Sequence, residues 1–161
     1  MSSHSVARSL TVVAFCSLSV SIPAAEAQDR EFPFHYAAKV VCGVQRETRS
    51  GGVVAQTYAT TINIHNPADS TTIFLKSLVV TLPPGMQRPV KPVRLAVDTL
   101  GPRMALATDC VDLNRRSANR LPPFFEGFVL IDSRQSLDVV AVYSVPGGID
   151  VVHVPERTRP R

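Results

Sequence analysis

The feature that most constrains this chain is a series of short runs rich in β-branched residues, each followed by a cluster of proline, glycine, asparagine or aspartate. About eight such runs recur at intervals of ten residues or a little more. Residues of the first kind favour strands, whereas the intervening clusters form turns. The pattern predicts an all-β protein, an antiparallel β-sandwich of about seven or eight strands.

The predicted strands differ in how their apolar residues alternate. The run from Thr57 places Ile62 and Ile64 on one face and Thr61 and Asn63 on the other, which is typical of a half-buried strand. The segment 111–119 is predicted to be a loop, with one short helical turn as the alternative. The predicted strands are Tyr36–Val44, Thr57–His65, Thr72–Leu82, Val93–Thr99, Met104–Cys110, Phe124–Asp132, Leu137–Val145 and Ile149–Val154.

The first residues have the pattern of an export signal. A weakly basic start ending at Arg8 is followed by the apolar run Leu10–Val20 and by Ala25-Glu26-Ala27. These three parts predict a secretory signal peptide over residues 1–27, cleaved before Gln28. The alternative is a transmembrane anchor, but the run is about half of the roughly 20 residues that span a bilayer. We therefore expect a periplasmic or secreted protein without a transmembrane anchor.

The remaining chain has the composition of one ordinary domain. We expect the β-sandwich over residues 28–156 and a flexible basic tail over 157–161. The chain has 17 Lys+Arg against 13 Asp+Glu, a net charge of +4, and 45% hydrophobic residues. This composition excludes a disordered chain. The mild net charge and the lack of aromatic residues interleaved with the arginines argue against a nucleic-acid partner.

Two cysteines remain after the predicted cleavage. Cys42 and Cys110 both fall on the more apolar side of their predicted strands. An even number of cysteines in an oxidising compartment favours a disulfide, and the sequence therefore predicts a Cys42–Cys110 bond. A metal site lacks nearby histidine ligands, and a redox pair lacks the C-x-x-C spacing. A pair of free buried thiols is the alternative that stays open.

Two of the predicted strands are apolar on both faces. Phe124–Asp132 and Leu137–Val145 do not alternate as a strand with one wet face would. We interpret them as one hairpin that presents a partner interface, and shielding by the proline-rich loop 83–92 is the alternative. The residues assigned to this interface are Phe125, Phe128, Leu130, Val140 and Val142.

Catalytic motifs are sparse. The histidines His35, His65 and His153 occur singly, and no nucleophile elbow accompanies them. The sequence therefore predicts no catalytic residues, no cofactor and no metal. Arginines are grouped in one loop, where Arg115, Arg116 and Arg120 are candidates for contact with an anion. A solvated loop is the simpler interpretation of that group.

Several motifs recur in a fixed order along the chain. They are Cys42-Gly43, Thr61–Pro67, Leu100-Gly101-Pro102, Cys110, Phe128–Asp132 and Leu137–Tyr143. This order resembles a group of small secreted bacterial β-sandwich proteins of undefined activity. It is more distantly similar to the sensory rhodopsin transducer family, a β-sandwich that oligomerises. The resemblance implies an immunoglobulin-like or transducer-like sandwich with a binding role, and no rhodopsin partner is carried over.

These observations favour an exported, non-enzymatic binding or assembly module. Its expected partner is a second copy of the chain, with an envelope protein or a glycan as the alternatives. A second hypothesis is a small secreted hydrolase or carbohydrate-active enzyme, whose site would bring one of the histidines to a carboxylate or hydroxyl in a pocket. A third is a pilus-type or other surface-structure subunit that exchanges edge strands.

Overall fold

The computed structural model describes residues 31–47, 54–83, 85–86, 88–89 and 91–158. The predicted signal peptide and residues 159–161 lie outside this part. The described chain is all-β with one short helix, which confirms the predicted class, and each of the eight predicted strands is present. The elements are β1 (Phe34–Gln45), β2 (Gln56–His65), β3 (Thr72–Val80), β4 (Val93–Leu100), β5 (Ala105–Asp109), α1 (Cys110–Arg116), β6 (Phe124–Ser133), β7 (Asp138–Val145), β8 (Gly148–His153) and β9 (Arg157–Thr158).

The strands form two antiparallel ladders that share β2. The first ladder has the order β4-β3-β6-β1, with β9 paired to the start of β1. The second ladder has the order β5-β2-β7-β8. The start of β2, Gln56–Tyr58, pairs with β1, whereas Ala59–His65 pairs with β7. Side chains of both ladders meet in one core, which includes Val40, Ile62, Ile64, Phe74, Val129 and Val139.

The predicted hairpin of the two doubly apolar strands is wrong. Strand β6 pairs with β1 and β3 in the first ladder, whereas β7 pairs with β2 and β8 in the second. The link between them, residues 134–137, therefore crosses from one ladder to the other. Each strand is central in its own ladder, but its outward apolar residues, such as Phe128 on β6 and Val142 on β7, are not buried.

The segment after β5 is a helix rather than the predicted loop. Asp109 is its N-cap, and its side chain accepts a hydrogen bond from the backbone N–H of Asp112 at 2.8 Å. Leu113 anchors the helix in the core. Cys110 is consequently the first helical residue and not the end of a strand, so the strand alternation used to orient it does not apply.

The Cys42–Cys110 disulfide is confirmed. It joins β1 of the first ladder to the start of α1, across a sequence separation of 68 residues. Closing a loop of that length contributes about 3 to 4.5 kcal/mol in the chain-entropy model. Gly43 follows Cys42 with φ +98°, and a Cβ there would lie 1.8 Å from the carbonyl oxygen of Pro123. Only glycine fits this approach of β1 to the 122–123 loop.

Two hydroxyl groups bond the backbone of β1 where β2 leaves it. If the β1–β2 register continued, Val41 would lie opposite Thr60, but the Thr60 side chain takes the place of backbone pairing. Its Oγ1 donates to the Val41 carbonyl and accepts from the Val41 N–H, both at 3.0 Å. Farther along, the Tyr143 hydroxyl donates to the Lys39 carbonyl at 3.1 Å. Tyrosine, the longer side chain, bonds Lys39, where the two ladders are farther apart than at Val41.

A buried lysine also joins the two ladders. Lys76 on β3 is 1% exposed, and its Nζ donates to Thr108 Oγ1 on β5 at 2.7 Å. The same Nζ lies 2.9 Å from Asp98 Oδ2 on β4. Burying an ammonium group without partners costs several kcal/mol, so the carboxylate and hydroxyl are needed to hold it there.

The predicted basic tail begins with two residues that pair with β1, and residues 159–161 lie outside the described part. Arg157 and Thr158 form β9, which pairs with His35 and Phe34 at the start of β1. Just before it, the Glu156 carboxylate accepts hydrogen bonds from the Tyr36 hydroxyl at 2.7 Å and the Ser136 hydroxyl at 2.6 Å. Burial, together with the bond to Glu156, raises the pKa of Tyr36 to about 12.

Thr60→Val tests the hydroxyl contact between the diverging strands. The substitution keeps the side-chain shape and leaves the N–H and C=O of Val41 unbonded, so we expect a loss of about 2 to 4 kcal/mol in the free energy of unfolding. Thr60→Ser keeps the hydroxyl and serves as the matched control. Urea unfolding of the oxidised proteins measures both, and equal midpoints for Thr60→Val and the wild type would contradict this role.

Candidate functional site

The candidate site is the outward face of the second ladder at its β8 edge. Cross-strand register places Ile149 opposite Ser144, Val151 opposite Val142 and His153 opposite Val140. The neighbouring residues Val139 and Ala141 of β7 are buried, so the opposite parity points away from the core. We call the group Val140, Val142, Ile149, Val151 and His153 the β8 surface.

The apolar residues of β8 are unusually exposed for a strand. Ile149 is 74% exposed and Val151 61%, and the other four residues of β8 are exposed as well. Within the described residues, β8 pairs with β7 alone and so forms one end of the second ladder. An exposed strand at the end of a sheet can accept a further strand, and exposed apolar side chains on it mark a contact surface.

The face next to the β8 surface is uncharged near its centre. On this face, Thr61 and Asn63 of β2 are the cross-strand partners of Val142 and Val140. Ala107 of β5 is in turn the partner of Asn63. Polar groups lie at its margin, where His65 Nδ1 is 2.9 Å from Asp138 Oδ2 and Asp109 of β5 is opposite Thr61. An uncharged centre with polar groups at the margin resembles the usual arrangement of a protein interface.

The residues predicted as one interface occupy three different places. Val140 and Val142 belong to the β8 surface, whereas Phe128 and Leu130 lie on β6 of the first ladder. Phe128 is 40% exposed, with the Lys39 ammonium 5.4 Å from the centre of its ring. Phe125 packs in the core and is unavailable to a partner, so its assignment to the interface is corrected.

Sequence reasoning missed Ile149 and Val151, the most exposed members of the β8 surface. The signal was present, since both residues share one parity of a strand that follows the Gly147 turn. The turn itself predicts that β8 lies beside β7. What the pattern did not show was that no described strand lies beyond β8.

Two of the three histidines contact a carboxylate, but neither belongs to a catalytic triad in the described chain. His35 Nδ1 lies 2.6 Å from Asp132 Oδ1, and His65 makes the exposed pair with Asp138. Among the described residues, neither imidazole has a hydroxyl hydrogen-bonded to its Nε2, where a serine nucleophile would be required. His153 is exposed on β8.

A shallow groove of about 430 Å³ lies at another part of the surface. No histidine lines this groove, so it is not the histidine-containing pocket that the hydrolase hypothesis requires. The groove is lined by Phe34, Pro67, Ala68, Ser70, Arg134, Gln135 and Ser136.

Two of the three grouped arginines have an acidic partner already. Asp112 Oδ1 accepts from Arg115 Nη2 at 2.7 Å and from Arg116 Nε at 2.9 Å. Arg120 is exposed and makes no ion pair with any residue that the structure describes. The three arginines therefore do not converge on one vacant anion site.

Comparison with known proteins assigns no family. No family model matches the chain, and no curated protein matches it. Among solved structures, the crystal structure of Thermotoga maritima 1070 aligns with a TM-score of 0.48 and 10% sequence identity, over 75% of this chain and 91% of that chain. In the described residues, no helix is long and apolar enough to cross a membrane.

Asp112→Asn tests the charge contacts of α1. Burial would raise the pKa of Asp112, but the hydrogen bonds from Arg115 and Arg116 outweigh it and lower the pKa. A lowered folded-state pKa adds stability above the unfolded value of about 4, and this stability is lost as the pH falls through the folded value. We therefore expect Asp112→Asn to lower the urea midpoint at pH 7 and to have a smaller effect at pH 3.

Asp69→Asn is the control for this measurement. Asp69 pairs with Arg103 in an exposed contact at 2.8 Å, which contributes little to stability. The urea midpoint of Asp69→Asn should equal that of the wild type at pH 7 and at pH 3. A difference between Asp112→Asn and the wild type that stayed constant from pH 7 to pH 3 would contradict the charge contact.

Proposed function

We propose that this protein is an exported, non-enzymatic assembly module whose β8 surface binds a second copy of the chain. The observation that carries the proposal is the exposure of Ile149 and Val151 side by side on the outward face of an end strand. Burying two such side chains per copy is worth about 1.5 to 3 kcal/mol each. In a symmetric dimer both copies contribute this free energy, because each buries the same side chains.

Export is the second part of the proposal. The apolar segment Leu10–Val20 and Ala25-Glu26-Ala27 support a cleaved leader, and the Cys42–Cys110 disulfide fits an oxidising compartment. An exported module works without cytosolic chaperones or reducing agents. When the full reading frame is expressed in an exporting bacterium, the purified protein should begin at Gln28 by N-terminal sequencing.

A surface that functions in contact should also be held in a fixed position. Strand β8 is held by β7 and by the turn at Gly147, and Val154 immediately after it is buried against the core. A rigid β8 surface loses little conformational entropy on binding, which favours association.

Val151→Thr tests the proposed contact. Threonine keeps the β-branched shape but replaces one apolar methyl with a hydroxyl, so β8 is retained and the apolar contact is weakened. Because each copy contributes the change once, we expect the dissociation constant of the dimer to rise at least about tenfold. Sedimentation velocity over a concentration series of the oxidised protein measures it.

Val111→Thr is the matched control. Val111 is 76% exposed on α1, away from the β8 surface, and carries the same chemical change. Its dissociation constant should equal that of the wild type. A wild-type protein that stays monomeric at every concentration, or equal weakening by both substitutions, would contradict the proposed function.

A further inference from the structure

We propose that two copies join edge to edge, with β8 of one copy pairing antiparallel to β8 of the other, and that Asp150 guards this edge. The inference rests on the proposed function, since it specifies how the β8 surface meets its second copy. It differs from a face-to-face contact because the backbone of β8, and not its side chains alone, would form bonds across the interface.

The hydrogen bonds around β8 show which backbone groups face outward. The N–H of Val154 donates to the Val139 carbonyl at 2.9 Å, so this residue faces β7. In an antiparallel pair, alternate residues turn their N–H and C=O toward the partner strand. Asp150 and Val152 therefore face β7 as well, whereas Ile149, Val151 and His153 direct their backbone groups toward the free edge.

The free edge is partly blocked by a side chain of the same strand. The N–H of Val151 donates to Asp150 Oδ1 at 2.9 Å. This bond satisfies the middle donor of the edge and places a carboxylate beside it. Charges placed on an end strand hinder unwanted pairing. The contact makes Asp150 a residue that opposes pairing, while leaving the donors of Ile149 and His153 available.

Self-pairing centred on Val151 is complementary. In that register Val151 lies opposite Val151 of the second copy, and Ile149 lies opposite its His153. Asp150 is the only carboxylate in β8, and it would face Val152 of the second copy and not another Asp150. The two Asp150 carboxylates would be diagonal neighbours on one face of the joined sheet, where they repel each other less than directly opposite charges would. The two Val151 side chains would then contact each other across the interface, and each Ile149 side chain would contact His153 of the second copy.

The end strand of the first ladder is a poorer candidate for such pairing. Strand β4 contains Arg94, which is exposed, and Asp98, whose carboxylate is engaged by Lys76. Two copies of β4 would bring charged side chains of both signs along the edge and desolvate them. Strand β8 presents a single carboxylate, and its two copies are not directly opposite each other in the register centred on Val151.

Amide hydrogen exchange on the isotopically labelled, oxidised protein tests the inference. Edge pairing predicts that the amides of Ile149 and His153 exchange as exposed groups in dilute samples and become protected at concentrations where sedimentation shows dimers. A face-to-face contact would leave both amides exchanging at every concentration. That second result overturns edge pairing even if Val151→Thr still weakens association, so the proposed function would survive alone.

Three variants of the same edge complete the test. Val151→Pro removes a donor that β7 does not use, and end strands tolerate proline there, so circular dichroism should show a folded chain that fails to dimerise. Val151→Ala loses the same side chain but keeps the N–H, and should weaken dimers without abolishing them. Asp150→Ala frees the Val151 donor and should tighten dimers about two- to tenfold.

These measurements distinguish failure of edge pairing from failure of the proposed function. If Val151→Pro and Val151→Ala weaken dimers equally, the backbone makes no contribution and the inference is overturned. Should Val151→Pro fail to fold, the exchange of Ile149 and His153 in the wild type decides by itself. A protein that is monomeric throughout overturns the inference together with the proposed function.

Discussion

The divergence of β2 from β1 is the constraint on which the rest of the structure depends. A strand that serves two ladders must leave its first partner, and the first partner then has N–H and C=O groups with no backbone to meet them. Thr60 and Tyr143 supply hydroxyl groups to Val41 and Lys39 at that point. Beside them, the Cys42–Cys110 disulfide joins the two sides covalently. A short side chain, a longer side chain and one disulfide therefore fix the position of β2 relative to β1 where the two strands separate.

The position of the β8 surface follows from that divergence. Strand β8 is bonded to β7, and β7 to the part of β2 that has already left β1. Lys76, bonded to Thr108, joins the ladders again on the far side of the second ladder. With β5 and β2 both tied to the first ladder, the outer end of the second ladder projects at β8, where exposed apolar side chains have no described neighbour to cover them.

Local pattern predicted the strands but not their partners. The spacing of β-branched runs and turn residues located eight of the nine strands and missed β9, because both signals are confined to neighbouring residues. Strands β6 and β7 were assigned to one hairpin because they are adjacent in sequence and equally apolar. Their separation into two ladders depends on non-local pairing with β1 and β2, which no local signal encodes. The disulfide was predictable because export chemistry restricts two cysteines to few alternatives.

The candidate site was predicted in part for the same reason. Val140 and Val142 were identified from apolar excess on β7, whereas Phe125 was misassigned because apolar excess does not distinguish a core position from an exposed one. The short helix was missed because its N-cap, Asp109, directly follows residues whose alternation is typical of a strand. In the sequence, Lys76 is expected to be exposed to solvent. Its burial is explained only by the folded structure, in which Asp98 and Thr108 contact its ammonium group.

A single engineered cysteine at Val151 tests the central claim most directly. Pairing centred on this residue would bring the two Cα atoms to about 5.5 Å, a separation at which a disulfide forms. Under mild oxidation we expect Val151→Cys to give a covalent dimer in high yield on non-reducing gels. Val111→Cys, on α1, should remain mostly monomeric although Val111 is the more exposed of the two residues. Equal, low yields from the two variants would contradict an assembly built on β8.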